Sequence, residues 1–289
     1  MQERPELWTF GPEQCPILVS GAERLLIYLP FFLNGWPFKH CEFNPQAEVN
    51  IEILGGADDD IIIHQKVSVE KRSAFKSEFE AARELADILI ATYAYLRGDV
   101  IYLRASATVF ANGIAVFLAP RGQSEHQLAL RLAAKGLRLF SDNKIFLRSD
   151  SSSLVSAVSP GNTPSVSLPL EDDPHAVFED FVSSFTEIKN SKRAFLKLWD
   201  SECAGFNEQA TVTSIFELQR SDCDESDISI LNADRANELI MENCQLPNVD
   251  PDRYRAIASE IAENIPISKL RYNSFDQAAR ALLNQKIDC

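Results

Sequence analysis

The stretch Val116–Leu147, VFLAPRGQSEHQLALRLAAKGLRLFSDNKIFL, decides how the chain is built. An apolar run ends at Leu118 and a short loop follows over Ala119–Gln123. A segment expected to be helical then runs from Ser124 to Lys135, stops at Gly136, and gives way to a second strand candidate, Leu137–Leu147. This order predicts a strand, a loop, a helix and a strand. Ser124 with Gln127 three residues later forms a capping box that fixes the helix start. The layout is that of a phosphate-binding loop, G-x-x-x-x-G-K-[ST]. In that loop the glycines let backbone N–H groups wrap the phosphates, the lysine neutralises them and the hydroxyl meets magnesium. Here the corresponding positions hold Ala119, Ser124, Glu125 and His126, and Gly122 is the one loop glycine that survives. The frame is present and its chemistry is missing.

Working outward, the preceding segment predicts two strands, Val100–Phe110 and Gly113–Leu118, joined by the Asn112-Gly113 turn that favours a tight hairpin. Before them, Ser77–Arg97 reads as a long helix: Ser77 and Glu80 form a capping box, Phe79, Leu85, Leu89, Tyr93 and Leu96 make an apolar stripe, and Gly98 stops it. The residues ahead of that helix carry short strand-like runs, Ile17–Val19, Leu25–Leu29, Val49–Leu54 and Ile61–Val69, punctuated by glycine and proline. The aromatic group Tyr28, Phe31, Phe32, Trp36, Phe38 and Phe43 is expected to form the core of this part. After the central unit, Ser149–Pro169 is rich in Ser, Pro and Gly and reads as a long exposed connection. A helix Ala176–Thr186, a strand Thr211–Arg220, helices Ala233–Asn243 and Asp252–Asn264, a strand Ile267–Tyr272 and a helix Ser274–Gln285 complete the chain. Residues 1–98 are expected to form an α+β lobe and residues 99–289 the core.

Composition narrows the function classes. With 45% hydrophobic and 24% charged residues, the chain has what a globular protein needs to bury a core. A net charge of −14 repels nucleic acid and anionic lipid, and the basic stretch Lys189–Lys197 reads better as a solvated helix face than as a patch that overrides this field. Leu25–Leu33 is too short to span a bilayer and contains Pro30. The N-terminus lacks the basic lead and apolar run of a secretory signal, so a cytoplasmic location is expected. The six cysteines include no C-x-x-C pair and no histidine at ligand spacing, so no metal site is expected. The acidic run Ser221–Asp227 lacks the glycine and distal glutamate of a calcium loop and reads as a solvated turn.

Three stretches carry a resemblance: LRASAT at Leu103–Thr108, APRGQSEHQLA at Ala119–Ala129 and RLFSDN at Arg138–Asn143. In order, spacing and strand–helix context they resemble the HPr kinase/phosphorylase superfamily, in particular its HPr-kinase-related group. That group has L-H-A-S-A-V, then G-P-S-G-S-G-K-S-T-L-A, then R-L-L-S-D-D. The closing stretch SKLRYNSFDQAARAL resembles the group's ending. The resemblance implies an α/β (α+β) fold with a P-loop kinase core related to phosphoenolpyruvate carboxykinase, together with a sheet-rich N-terminal lobe. It places Arg104 where the family has a histidine near the phosphates. Asp142 stands at the first acid of the S-D-D pair, the catalytic carboxylate of active relatives, and Asn143 replaces the second.

The expected function is that of a catalytically inactive HPr-kinase-like protein acting in binding or regulation. No cofactor is expected, and the partner is expected to be a protein or peptide. Two alternatives stay open: an ATP- and magnesium-dependent kinase of altered mechanism, with Asp142 as base and Lys144 or Arg121 in place of the lysine, and a partner protein in a peptide-modification system. Oligomerisation is possible under each. Asp142 reads as a strand-end acid before it reads as a base, and His126 as a helix-surface residue. Arg104 and Arg121 are candidates to bind an anion at the loop, ion pairing with Glu125 or Asp142 being the plainer role. Ser124, Glu125 and Gln127 are placed to satisfy the helix N-terminus that a phosphate would otherwise occupy.

Overall fold

The computed structural model describes residues 5–42, 48–56, 59–68, 70–120, 125–149, 154–170, 176–245 and 250–284. These form a mixed α+β chain that divides into two compact units, the first ending at Gly98 and the second beginning at Asp99. Among the described residues no helix is long and apolar enough to cross a membrane.

The first unit contains β1 (Leu7–Phe10), β2 (Ile17–Ser20), a 3-10 turn (Leu29–Phe31), β3 (Phe38–Cys41), β4 (Ile51–Gly55), β5 (Ile61–Gln65), β6 (Lys71–Phe75) and α1 (Glu78–Arg97). The strands form one sheet in the order β3-β1-β2-β4-β5-β6. Helix α1 begins where its capping box predicts: the Ser77 hydroxyl accepts from the Glu80 N–H, and Gly98 closes the helix in the left-handed region at φ +65°. Its stripe buries Leu85, Leu89 and Tyr93. Of the aromatic group, Phe32 and Trp36 are buried, each edge-on to an aromatic ring of α1, Phe79 and Tyr93. Phe38 departs from the expectation at 44% exposed, and Phe43 lies outside the described residues.

Leu25–Leu29 is not a strand. Its i→i+3 bonds, Leu25 N–H to Ala22 O and Tyr28 N–H to Leu25 O, wind it into turns that put Leu25 and Leu29 inside and Ile27 out. A strand would have set all three on one face.

The second unit contains β7 (Ile101–Leu103), β8 (Ser106–Phe110), β9 (Gly113–Leu118), α2 (Glu125–Ala134), β10 (Leu139–Ser141), β11 (Ile145–Ser149), β12 (Val155–Val158), β13 (Ser165–Ser167), α3 (Ala176–Phe185), β14 (Thr186–Lys189), β15 (Arg193–Leu196), β16 (Gln209–Arg220), β17 (Asp227–Ile230), α4 (Ala233–Glu242), α5 (Pro251–Asn264), β18 (Ile267–Tyr272) and α6 (Phe275–Asn284). The main sheet runs β10-β8-β9-β16-β12-β11-β7, with β18 and then β17 branching from β16. Strand β16 is parallel to β9 on one side and to β18 on the other. A small sheet, β13-β15-β14, stands apart. Phe117, Phe216, Leu218, Leu270 and Tyr272 pack with buried residues of α2, α3 and α6 in one core, while α4 and α5 pack against each other.

The two long strands expected on either side of the loop are each broken by a bend. Val100–Phe110 divides into β7 and β8 at Arg104–Ala105, and Leu137–Leu147 into β10 and β11 at Asp142–Lys144. The bends face each other, because Leu103 pairs with Ile145 and Ala107 with Ser141. Ser149–Pro169 is not the exposed connection its composition predicts. It contains β12, inserted between β11 and β16, and β13, with Val155, Ala157, Val158 and Val166 buried. Its serines are compatible with burial because the backbone satisfies them: the Ser159 hydroxyl accepts from Gly161 N–H and donates to Ala204 O.

Gly113, at the turn into β9, has φ +145°, and a Cβ there would lie 2.6 Å from both Thr211 O and Thr213 Cγ2 on β16. Gly113→Ala is expected to lower stability by about 2–3 kcal/mol through clash and backbone strain, read as a shifted urea midpoint at unchanged slope.

Candidate functional site

The site is built where parallel strands end. Leu118, the last residue of β9, is level with Glu217 on β16, and Glu217 is level with Lys269 on β18. Chain ends at such a position are where open α/β sheets place ligands. The loop that follows β9 carries Arg121, Gly122 and Ser124, which lie outside the described residues, as do the side chains of Glu125 and His126. Helix α2 begins at Glu125, close to the expected start, and Gln127 in its first turn is buried.

Two of the expected site residues, Arg104 and Asp142, have described side chains. Arg104, at the bend between β7 and β8, donates from Nη2 to the carbonyl of Ala119 at 3.0 Å, while its own N–H donates to Asn243 O at 2.8 Å, just past α4. Its guanidinium thus holds the carbonyl at the first position of the loop. Asp142, in the facing bend, is 2% exposed. Its Oδ2 accepts from the Ser165 N–H at 3.0 Å, and its backbone carbonyl accepts from the Asn162 amide. Asn143 sits at φ +61°, a left-handed conformation that asparagine tolerates, and donates from its N–H to the Ser106 hydroxyl at 2.9 Å. The bend is therefore tied from both sides, with Asp142 linking it to β13.

Cys203 lies near this acid. Burial first, and then the charge of Asp142, push its thiol up to about 12. It stays protonated at neutral pH and is a packing residue rather than a nucleophile. Among the described residues no group of three or more His, Cys, Asp or Glu is positioned to hold a metal ion.

Glu217, Arg235 and Lys269 escaped the sequence reading. Glu217 is buried, its side chain 6% exposed, and its Oε1 accepts from Arg235 of α4 at 2.5 Å (Nη2) and 3.2 Å (Nε). Lys269 Nζ lies 3.5 Å from Oε2. Arg235 also reaches Glu242 and Glu238, and its already high pKa is raised by Glu242 first and then by Glu217. The signal was present: Glu217 interrupts the apolar run Ile215–Leu218, and a carboxylate inside a buried strand needs a cation supplied from elsewhere. The sequence did not show which element supplies it.

No protein-family model matches the chain, and no curated protein matches it. Among solved structures, the HPr(Ser) kinase/phosphatase from Coxiella burnetii is similar over 64% of this chain and 96% of that one, at 11% identity and a TM-score of 0.35. A likeness at that score adds nothing to what the residues themselves indicate.

Two outcomes follow from the geometry. Asp142→Ala removes the acceptor for the Ser165 N–H and is expected to cost about 1–3 kcal/mol, measured by urea denaturation. Arg235→Ala leaves Glu217 buried beside Lys269 alone and is expected to cost about 3 kcal/mol, most of it recovered when Glu217→Leu and Arg235→Met are combined.

Proposed function

We propose that this chain is a non-catalytic, HPr-kinase-like protein that works by binding a protein or peptide partner in the cytoplasm, without nucleotide. The disposition of Asp142 carries this reading. A general base must reach the proton it removes and be able to accept it. Asp142 is instead enclosed at 2% exposure, with one carboxylate oxygen bound to the backbone of β13. Arg104 supports the reading too, since its guanidinium holds the Ala119 carbonyl. The loop sequence adds a third support: Glu125 stands at the lysine position of a phosphate-binding loop and moves the local charge against an incoming nucleotide.

Titration calorimetry with Mg-ATP and with Mg-GTP is the direct test. No binding is expected below millimolar concentration, and micromolar binding of either overturns the reading. A phosphoryl-transfer activity that disappears in Asp142→Asn would do the same, and would establish Asp142 as a base.

A further inference from the structure

We propose that the free edge of β3 in the first unit is a binding site for an extended peptide, which adds to the sheet as a further strand and places one large apolar side chain in an adjacent recess. The backbone pattern sets this up. In an antiparallel pair, residues alternate between those that exchange hydrogen bonds with the partner strand and those whose N–H and C=O point away. Gly11 N–H donates to Pro37 O at 2.9 Å, which makes 11/37, 9/39 and 7/41 the bonded pairs of β1 with β3. The other side of β1 agrees: Gly21 N–H donates to Glu6 O, so residues 6, 8 and 10 of the β1 segment face β2.

Phe38 and His40 therefore direct both N–H and C=O away from β1. Among the described residues β3 has no neighbour on that side, and both residues are exposed. Four backbone groups in strand register are left for a partner, the arrangement used in strand addition.

The recess supplies selectivity. A cavity of about 390 Å³ is lined by Thr9, Gly11, Pro12, Pro16, Pro37 and Phe38, with the Lys39–Glu13 ion pair (3.2 Å) at its rim. Thr9 and Lys39 are paired and share this face of the sheet. The residue of an added strand that lies opposite Lys39 sends its side chain to the same face, where the lining is mostly apolar.

A second copy of the chain fits less well. The antiparallel register that uses all four outward groups of both copies sets Lys39 opposite Lys39, a like-charge pair that destabilises a sheet. The net charge of −14 opposes self-association as well and favours a neutral or basic peptide.

The probe is a set of short synthetic peptides of alternating threonine and valine with a lysine at each end and phenylalanine, leucine or serine at the centre. Fluorescence anisotropy is expected to rank phenylalanine and leucine above serine, and amide exchange at Phe38 and His40 is expected to slow on binding. His40→Pro removes an outward N–H while keeping the pairing with β1, a place where an edge strand tolerates proline. It is expected to weaken binding about tenfold, with the melting temperature lowered only by loss of the His40 ring contact with Trp8. Thr9→Trp, which fills the recess, is expected to abolish the preference for an apolar centre, and together with the exchange readout it decides the matter should His40→Pro fail to fold. The proposal is overturned by absence of binding to every peptide, by equal binding to His40→Pro, or by a sedimenting dimer whose Phe38 and His40 amides are protected without peptide. The test is separate from nucleotide titration: bound nucleotide would leave this edge intact, and a peptide that fails to bind would leave Asp142 as buried as before.

Discussion

The second unit depends on the requirement that a buried central strand find partners for every N–H and C=O along both of its edges. Strand β16 has three neighbours and is paired on both edges over Ile215–Glu217, its most enclosed part. It pairs with β12 over Gln209–Thr211, with β9 over Val212–Glu217 and with β18 over Ile215–Arg220. One register thus fixes where β9 stops relative to β16 and β18, and so where the loop after Leu118 begins. The narrow approach of Gly113 to β16 belongs to the same constraint, because only a residue without a side chain lets β9 start beside Thr211.

At the carboxyl ends of these strands the chain's own groups hold one another. Arg104 reaches the Ala119 carbonyl, Arg235 and Lys269 flank Glu217, and Asp142 is bound to β13. In a low-dielectric setting each of these contacts offsets a desolvation cost that water or a ligand would otherwise relieve. The cationic groups that could meet an anion here, Arg104, Arg235 and Lys269, are engaged by groups of the chain itself. The edge of β3 is the opposite case, since Phe38 and His40 keep strand-forming groups turned toward solvent.

The sequence made the helices legible. Capping residues and glycine stops locate α1 and α2 because these signals are local, and the ranges expected for the four later helices lie close to α3–α6. The strand–loop–helix layout around Leu118 was legible for the same reason. Strands were harder. Leu25–Leu29 is apolar in either conformation, and the decision lies in turn bonds that composition does not encode. β12 hid in a serine-rich stretch because its burial comes from insertion between β11 and β16, two strands distant from each other in sequence. The bends at Arg104 and Asp142 fall inside stretches whose pattern predicts continuous strands, because the turn at each is set by partners distant in sequence. Glu217 and Arg235 illustrate the general limit: each looks ordinary alone, and only the placement of α4 against β16 makes them a pair.

The hold of Arg104 on Ala119 bears on any attempt to rebuild a nucleotide site in this scaffold. Substituting glycine at Ser124, lysine at Glu125 and serine at His126 would restore most of the motif as written in letters. The carbonyl at the loop's first position would still be anchored to the β7–β8 bend, itself joined through Arg104 to the residue that follows α4. A designer would need to loosen that bend, or accept a loop whose entry is set by a neighbouring bend and whose motif is correct in spelling alone.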